Sequence, residues 1–185
     1  GATKTVTGSN FLLGAAGKKI LVDCGLHQGK ATEEMENYED FAFNVNEIDC
    51  MLLTHAHIDH SGRIPKLYVD GYRGPIIATK ATCDLCTIML PDSGHIQEME
   101  NVWKNKKRAR TGKQELPPLY TAQDAIDCLK LFKPANYDEI IDIDENISIR
   151  FNDAGHMLGS SIIEVWVKEK RKVVARRNQN RKPER

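Results

Sequence analysis

The sequence predicts an α/β (α+β) fold, a sandwich in which helices pack on sheets. Three observations predict it. Strand patterns with turns fill the first third, helical periodicity fills the middle, and alternating strand patterns return after Pro134. The 185 residues, 41% apolar and 28% charged, suffice for one domain with a real core. The order does not repeat as regular βαβ units, so a wound sheet is not expected.

Taken in order, Phe11-Leu12-Leu13 and Ile20-Leu21-Val22 flank the small residues from Gly14 to Gly17, a hairpin signal. Cys50 to Leu53 is a continuous apolar run, as a strand buried on both faces shows, and Pro75 to Ala78 is a second. Helix formers run from Ala81 to Leu90, where Pro91 should break the helix. Ser93 can then cap a second helix carrying Ile96, Met99 and Trp103 at helical spacing, ended by Gly112 and Pro117-Pro118. Thr121 and Asp124 make a capping box for a third helix, with Ile126, Leu129 and Phe132 on one face. Strand patterns close the order at 140–143, 147–151 and 161–167.

Composition narrows the class. The longest apolar runs fall far short of the roughly 20 residues that span a bilayer, so no membrane segment is expected. Residues 1–10 lack the basic start and apolar block of a signal peptide. Five scattered cysteines fit free thiols, and the expected compartment is cytoplasmic. The net charge of zero hides an asymmetry: residues 168–185 carry nine Lys/Arg against two Glu, and the rest is acidic. That basic tail reads as a solvated end or as a phosphate-binding segment. Six cations between Lys104 and Lys113 have the same two readings.

The informative stretch is Leu53-Thr54-His55-Ala56-His57-Ile58-Asp59-His60. Four potential ligands fall within six residues directly after a buried strand. Extended backbone puts His55 and His57 on one side. A helix opening at Ser61-Gly62 would bring Asp59 and His60 round on its incoming turn. One pair then faces one metal and the next a second, roughly 3.5–4 Å away. Imidazole and carboxylate suit zinc, with iron or manganese as substitutes.

This stretch resembles the H-x-H-x-D-H motif of the metallo-β-lactamase superfamily. Val22-Asp23-Cys24-Gly25 with Gln28-Gly29, His60 to Pro65, Asp92 to Glu98 and Ala154-Gly155-His156-Met157-Leu158-Gly159-Ser160 resemble its β-CASP branch, which contains RNA-processing nucleases. The resemblance implies an αββα sandwich, here in its N-terminal part (1–167), followed by the tail (168–185). It implies that His55, His57 and His156 bind the first metal, and that Asp59 and His60 begin a second site. Asp23 would orient a ligand histidine. Two zinc ions would activate water for attack on phosphorus in an RNA substrate, with Asp59 as the catalytic residue that orients or deprotonates it.

The chain departs from the family pattern beyond the third motif. No aspartate follows Asp153 and no histidine follows His156, so the expected bridging carboxylate and last ligand are absent. A truncated or frame-shifted end is the reading, with one tight zinc and a chain weakly active or inactive. Two other functions share the histidine motif: hydrolysis of small thioesters or lactones, and a non-catalytic metal-binding module. Cys83 and Cys86 read as core-facing thiols. His27 reads as a turn residue or a neighbour of the metal, and His95 as a surface or capping residue.

Overall fold

The computed structural model of the chain describes residues 6–168. The expectations for 1–5 and for the basic tail from 169 lie outside the described residues. A five-stranded sheet runs in the order β1 (Phe11–Ala15), β2 (Lys18–Val22), β3 (Cys50–Leu52), β4 (Ile76–Thr79) and β5 (Phe132–Ala135). A three-stranded antiparallel sheet holds β6 (Ile140–Asp142), β7 (Ile147–Asp153) and β8 (Ser161–Val167). The helices are α1 (Ala31–Met35), α2 (Ile58–Ser61), α3 (Ile64–Val69), α4 (Lys80–Arg110) and α5 (Ala122–Cys128).

The hairpin forms as its sequence predicts. Phe11 pairs with Val22 and Ala15 with Lys18, and Ala16 and Gly17 both turn at positive φ, as a two-residue loop between twisted strands requires. Strands β2 to β5 are then parallel neighbours in chain order. This corrects the expectation of an irregular order, because each crossover in this half carries helix. The crossovers collect on one face, and the second sheet takes the other.

Strand alternation separates the two cores. Leu21, Met51, Leu53, Ile76 and Ala78 pack with Leu67 of α3, Cys86 and Leu90 of α4, and Cys128 of α5. Their neighbours Ile20, Cys50, Leu52 and Ile77 meet Ile147, Ile149 and Phe151 of the second sheet. Successive side chains point to opposite faces, and both faces of β3 are fully covered. The described residues thus supply helix, sheet and sheet, three layers of the expected four.

Three local expectations are corrected. Pro91 does not break the helix: α4 runs 31 residues straight through it. Packing overrides the missing N–H there. Leu90 and Gly94 are buried, and a Cβ on Gly94 would lie 2.7 Å from Ala122 Cα. Ser93 caps nothing, because its hydroxyl meets the Tyr120 hydroxyl at 2.8 Å. Phe132 lies in β5 rather than on a helix, and Pro134 is tolerated because β5 is a sheet edge. No helix among the described residues is long and apolar enough to cross a membrane.

Candidate metal centre

The centre is built where β2, β3 and β7 end. Chain leaving β3 reaches Thr54, then His55 and His57, and His57 stands at the N-cap position of α2 with no side-chain capping bond. The helix therefore opens at Ile58, four residues before Gly62, so Asp59 and His60 sit within it rather than ahead of it. Backbone contacts fix α2 against the loop after β2: Cys24 N–H donates to the His60 carbonyl, and Leu26 N–H to that of Ile58. Gly25 is required at this approach, since a Cβ there would lie 1.6 Å from the Asp59 carbonyl oxygen.

His156 arrives from the second sheet. The turn after β7 closes with Gly155 at φ 63° and Gly159 at φ 82°. The Ser160 hydroxyl accepts the N–H groups of His156 and Met157, both at 3.1 Å. Hydroxyls of Thr79 and Thr82 donate to the Gly159 carbonyl at 2.6 and 2.8 Å and hold the turn against the start of α4.

Three ring nitrogens converge. His57 Nδ1 lies 3.1 Å from His55 Nε2 and 3.2 Å from His156 Nε2, and all three atoms lie within 4.8 Å of one another. One in-plane position on His57 Nδ1 cannot satisfy both neighbours by N–H···N bonds. A cation equidistant from the three satisfies every lone pair. Tetrahedral zinc, with bonds of about 2.0–2.1 Å, separates its nitrogens by about 3.3–3.4 Å, close to the two short spacings. The donor set fits a divalent metal, and water can complete it.

Asp23 is 2% exposed at φ 58° and ties the cluster together. It accepts the Thr54 N–H at 2.8 Å, the Thr54 hydroxyl at 2.9 Å and His60 Nδ1 at 2.7 Å. Thr54 Oγ1 lies 2.9 Å from His55 Nδ1. The consistent proton pattern runs from His55 Nδ1–H to Thr54 Oγ1 and from its hydroxyl to Asp23. That leaves the Nε2 lone pair of His55 for the cluster, while His60 Nε2 has the Ser9 hydroxyl 3.5 Å away. His60 Nε2 lies 3.6 Å from Asp59 Oδ2, so these two side chains form a neighbouring pair. Among the described residues, the three-ligand group is His55, His57 and His156.

Charge states follow from burial. Burial pushes the His55 imidazole down to about 4, helped by His60, His57 and His156 and opposed by Asp23. It is therefore neutral at pH 7, the form that binds metal. Burial acts the same way on His60, but the hydrogen bond and charge of Asp23, with Asp59 beyond, outweigh it and raise that group. Burial pushes the adjacent Cys24 thiol up to about 12, so it is inert.

Residues 12–185 match the metallo-beta-lactamase superfamily domain. The chain belongs to the metallo-β-lactamase superfamily. Among curated relatives, ribonuclease TTHA0252 of Thermus thermophilus is 39% identical over 88% of this chain and 33% of its own length. The transcription termination factor FttA of Methanosarcina mazei is 36% identical over 88% and 23%. Integrator complex subunit 11 of Danio rerio is 30% identical over 90% and 27%. The chain spans about a third or less of the length of these relatives. Among solved structures, MEM-A1, a subclass B3 metallo-beta-lactamase from a soil metagenome library, aligns with TM-score 0.53 at 18% identity, covering 88% of this chain and 53% of the other. That likeness is one of fold.

The superfamily motifs direct attention to the ligands and away from their supports. Thr54 stands in the stretch that carries the resemblance and has no predicted role. Yet it joins Asp23 to His55, and its carbonyl accepts the Ser161 N–H at 2.9 Å and hydroxyl at 3.0 Å. A hydroxyl residue between a buried strand and a histidine pair is the signal that could have found it. The remaining candidates fall outside the cluster. His95 is exposed on α4. His27 is buried, its backbone paired with the Asn37 side chain. All five cysteines are free, and Cys83 and Cys86 pack into the helix-side core.

Proposed function

We propose that this chain carries the metal-binding part of a zinc-dependent hydrolase that cleaves RNA, of the β-CASP type. The observation that carries the reading is the convergence of His55 Nε2, His57 Nδ1 and His156 Nε2 at near-tetrahedral spacing, with Asp23 and Thr54 fixing the tautomers. The ribonuclease relative supports RNA as substrate. His55, His57 and His156 hold the first zinc, and Asp59 and His60 begin a second site. A bound metal supplies Lewis-acid activation of water and neutralises charge at phosphorus. Asp59 orients or deprotonates the attacking water. Asp23 holds His60, and through Thr54 it holds His55, so both rings keep their lone pairs inward.

Two zinc ions are expected in the full-length protein, and this chain supplies three ligands to the first and two, Asp59 and His60, to the second. The domain is assigned to 1–167 and the basic tail to 168–185, and the compartment is the cytoplasm. The test is cleavage of single-stranded RNA by full-length protein. Cleavage that a chelator stops and His57→Ala abolishes supports the reading, and robust cleavage by His57→Ala rejects it.

A further inference from the structure

The cations between Lys104 and Lys113 find no use in the metal centre, and the structure places them on a groove. Four of them, Lys104, Lys107, Arg108 and Lys113, line a concavity of about 400 Å³ between α1 and the end of α4. Exposed Met35 and Leu116 and the half-buried Tyr38 line the same space. Among the described residues, Glu34 is the one acidic side chain in its lining.

A second cleft of about 280 Å³ shares Glu34, Tyr38 and Lys104 with the first and continues along α4 past Asp92 to Ile58. The two clefts together run along α4 from Ile58 of α2 to the cationic end. The near cleft carries Glu34, Asp92 and Glu100 against a single cation, Lys104, so its lining is mainly acidic. Sixteen residues of helix separate Asp92 from Arg108, a path of about 24 Å. About seven stacked nucleotides span that distance at ~3.4 Å each.

The helix macrodipole does not account for these cations. Lys107 and Arg108 lie in the last turn of α4, where positive charge is favourable, but Lys104 precedes that turn and Lys113 follows the helix. Pairing engages two of them, at exposed positions where such contacts are worth little: Lys104 meets Glu100 at 3.0 Å and Arg108 Nε donates to the Gln114 carbonyl at 2.7 Å. An aromatic ring and apolar side chains among cations suit a single strand, whose bases stack while its phosphates take the charge.

We propose that this groove binds the backbone of single-stranded RNA, with phosphates on Lys104, Lys107, Arg108 and Lys113 and a base against Tyr38. The inference rests on RNA being the substrate class. It adds a docking site about 24 Å along α4 from Asp92.

The test compares the chain with its Lys104→Ala, Lys107→Ala, Lys113→Ala triple variant, so that residues 168–185 are common to both. Binding of a fluorescein-labelled 12-nucleotide oligouridylate is followed by anisotropy from 0.05 to 0.3 M salt. Losing three phosphate contacts should reduce the slope of log K against log salt by about 2, at ~0.7 per contact on a single strand. That corresponds to roughly 100-fold weaker binding at 0.1 M salt. Photocrosslinks from 4-thiouridine should map to the peptide holding Tyr38. An unchanged slope, or crosslinks confined to residues 168–185, overturns the proposal. So does equal competition by a polyglutamate peptide, which would make the groove an acidic-protein site. If RNA binds in the groove while metal-loaded full-length protein cleaves none, the catalytic reading fails and the groove stands. If cleavage occurs with the salt slope unaltered, the groove fails and the catalytic reading stands.

Discussion

Asp23→Asn tests whether the buried carboxylate controls the imidazole protons. The change keeps shape and backbone, since asparagine also tolerates the φ of 58° found there. One oxygen remains to accept the Thr54 N–H, now held at 2.8 Å. The other acceptor becomes an NH₂ donor facing His60 Nδ1 and the Thr54 hydroxyl, now at 2.7 and 2.9 Å. His60 must move its proton to Nε2 to accept that donor. Thr54 keeps one acceptor on residue 23, the oxygen 3.0 Å from its hydroxyl that also takes its N–H, so its hold on His55 is weakened and not reversed. His60 then presents N–H where a lone pair is needed, and His55 keeps its tautomer on a weaker, uncharged support. Disturbing a group that orients a metal ligand costs about 10–100-fold in affinity, or about 1.4–2.7 kcal/mol. Competition with a chromogenic chelator measures the zinc affinity, and nitrogen-15 imidazole spectra read the tautomers. A folded Asp23→Asn variant that binds zinc within about threefold of the parent, tautomers unmoved, would refute the proton pattern.

Acidification should destabilise the metal-free chain through His55. Its folded pKa of about 4 lies below the unfolded 6.5, so the unfolded state takes the proton first and stability falls as pH drops between those values. The ceiling is about 3 kcal/mol, read by urea unfolding at stepped pH, and a flat profile from about 6.5 to 4 counts against it. His60 acts with the opposite sign: its raised pKa gives stability that is full below about 6.5 and fades as pH rises through the folded value. Pro91→Ala should raise stability by about 1–3 kcal/mol, because α4 already runs through this residue and alanine restores the donor to the Thr87 carbonyl. Thermal unfolding checks it, and a lower midpoint would mean the ring packs better than its missing bond costs. Gly25→Ala should cost at least about 3 kcal/mol and weaken metal binding, since its Cβ would fall 1.6 Å from the Asp59 carbonyl. Unchanged chevron kinetics and zinc affinity would show that α2 can shift freely.

Much of the centre is legible in the sequence because short-range chemistry writes it there. His55 and His57 follow a fully buried strand, and the Gly155-His156 turn is marked by the glycines that its positive φ values need. The alternation of β2, β3 and β4 likewise shows in the chain, though not which alternate face meets helices and which meets a second sheet. That division is decided by distant partners such as Leu90 and Ile149. The course of α4 is illegible for the same reason. Pro91 argues locally for a break, while Gly94 against Ala122 and Ser93 against Tyr120 reward an unbroken helix. Ile96, Met99 and Trp103 have helical spacing but lie exposed, so periodicity shows the helix and not which face it buries. Thr54 is missed because its role exists only once Asp23, His55 and Ser161 are brought around it.

The placement of His156 shows how the fold and the metal chemistry depend on each other. Ninety-nine residues separate it from His57, yet their nitrogens stand 3.2 Å apart. The entropy of closing that loop is met by packing between the sheets, where Ile147, Ile149 and Phe151 seat on Ile20, Leu52 and Ile77. Thr54 then locks the two rims, taking Asp23 through its side chain and N–H and Ser161 through its carbonyl. A metal entering such a cluster spends little of its binding energy on ordering ligands, which is the condition for high affinity from three nitrogens. The same preorganisation makes the centre sensitive to the core. A substitution that lets β7 slide against β3 moves His156 directly, since its turn is fixed to β8 at Ser160 and to α4 at Gly159. Zinc affinity in this chain is thus a measure of how the two sheets are packed, as much as of the histidines themselves.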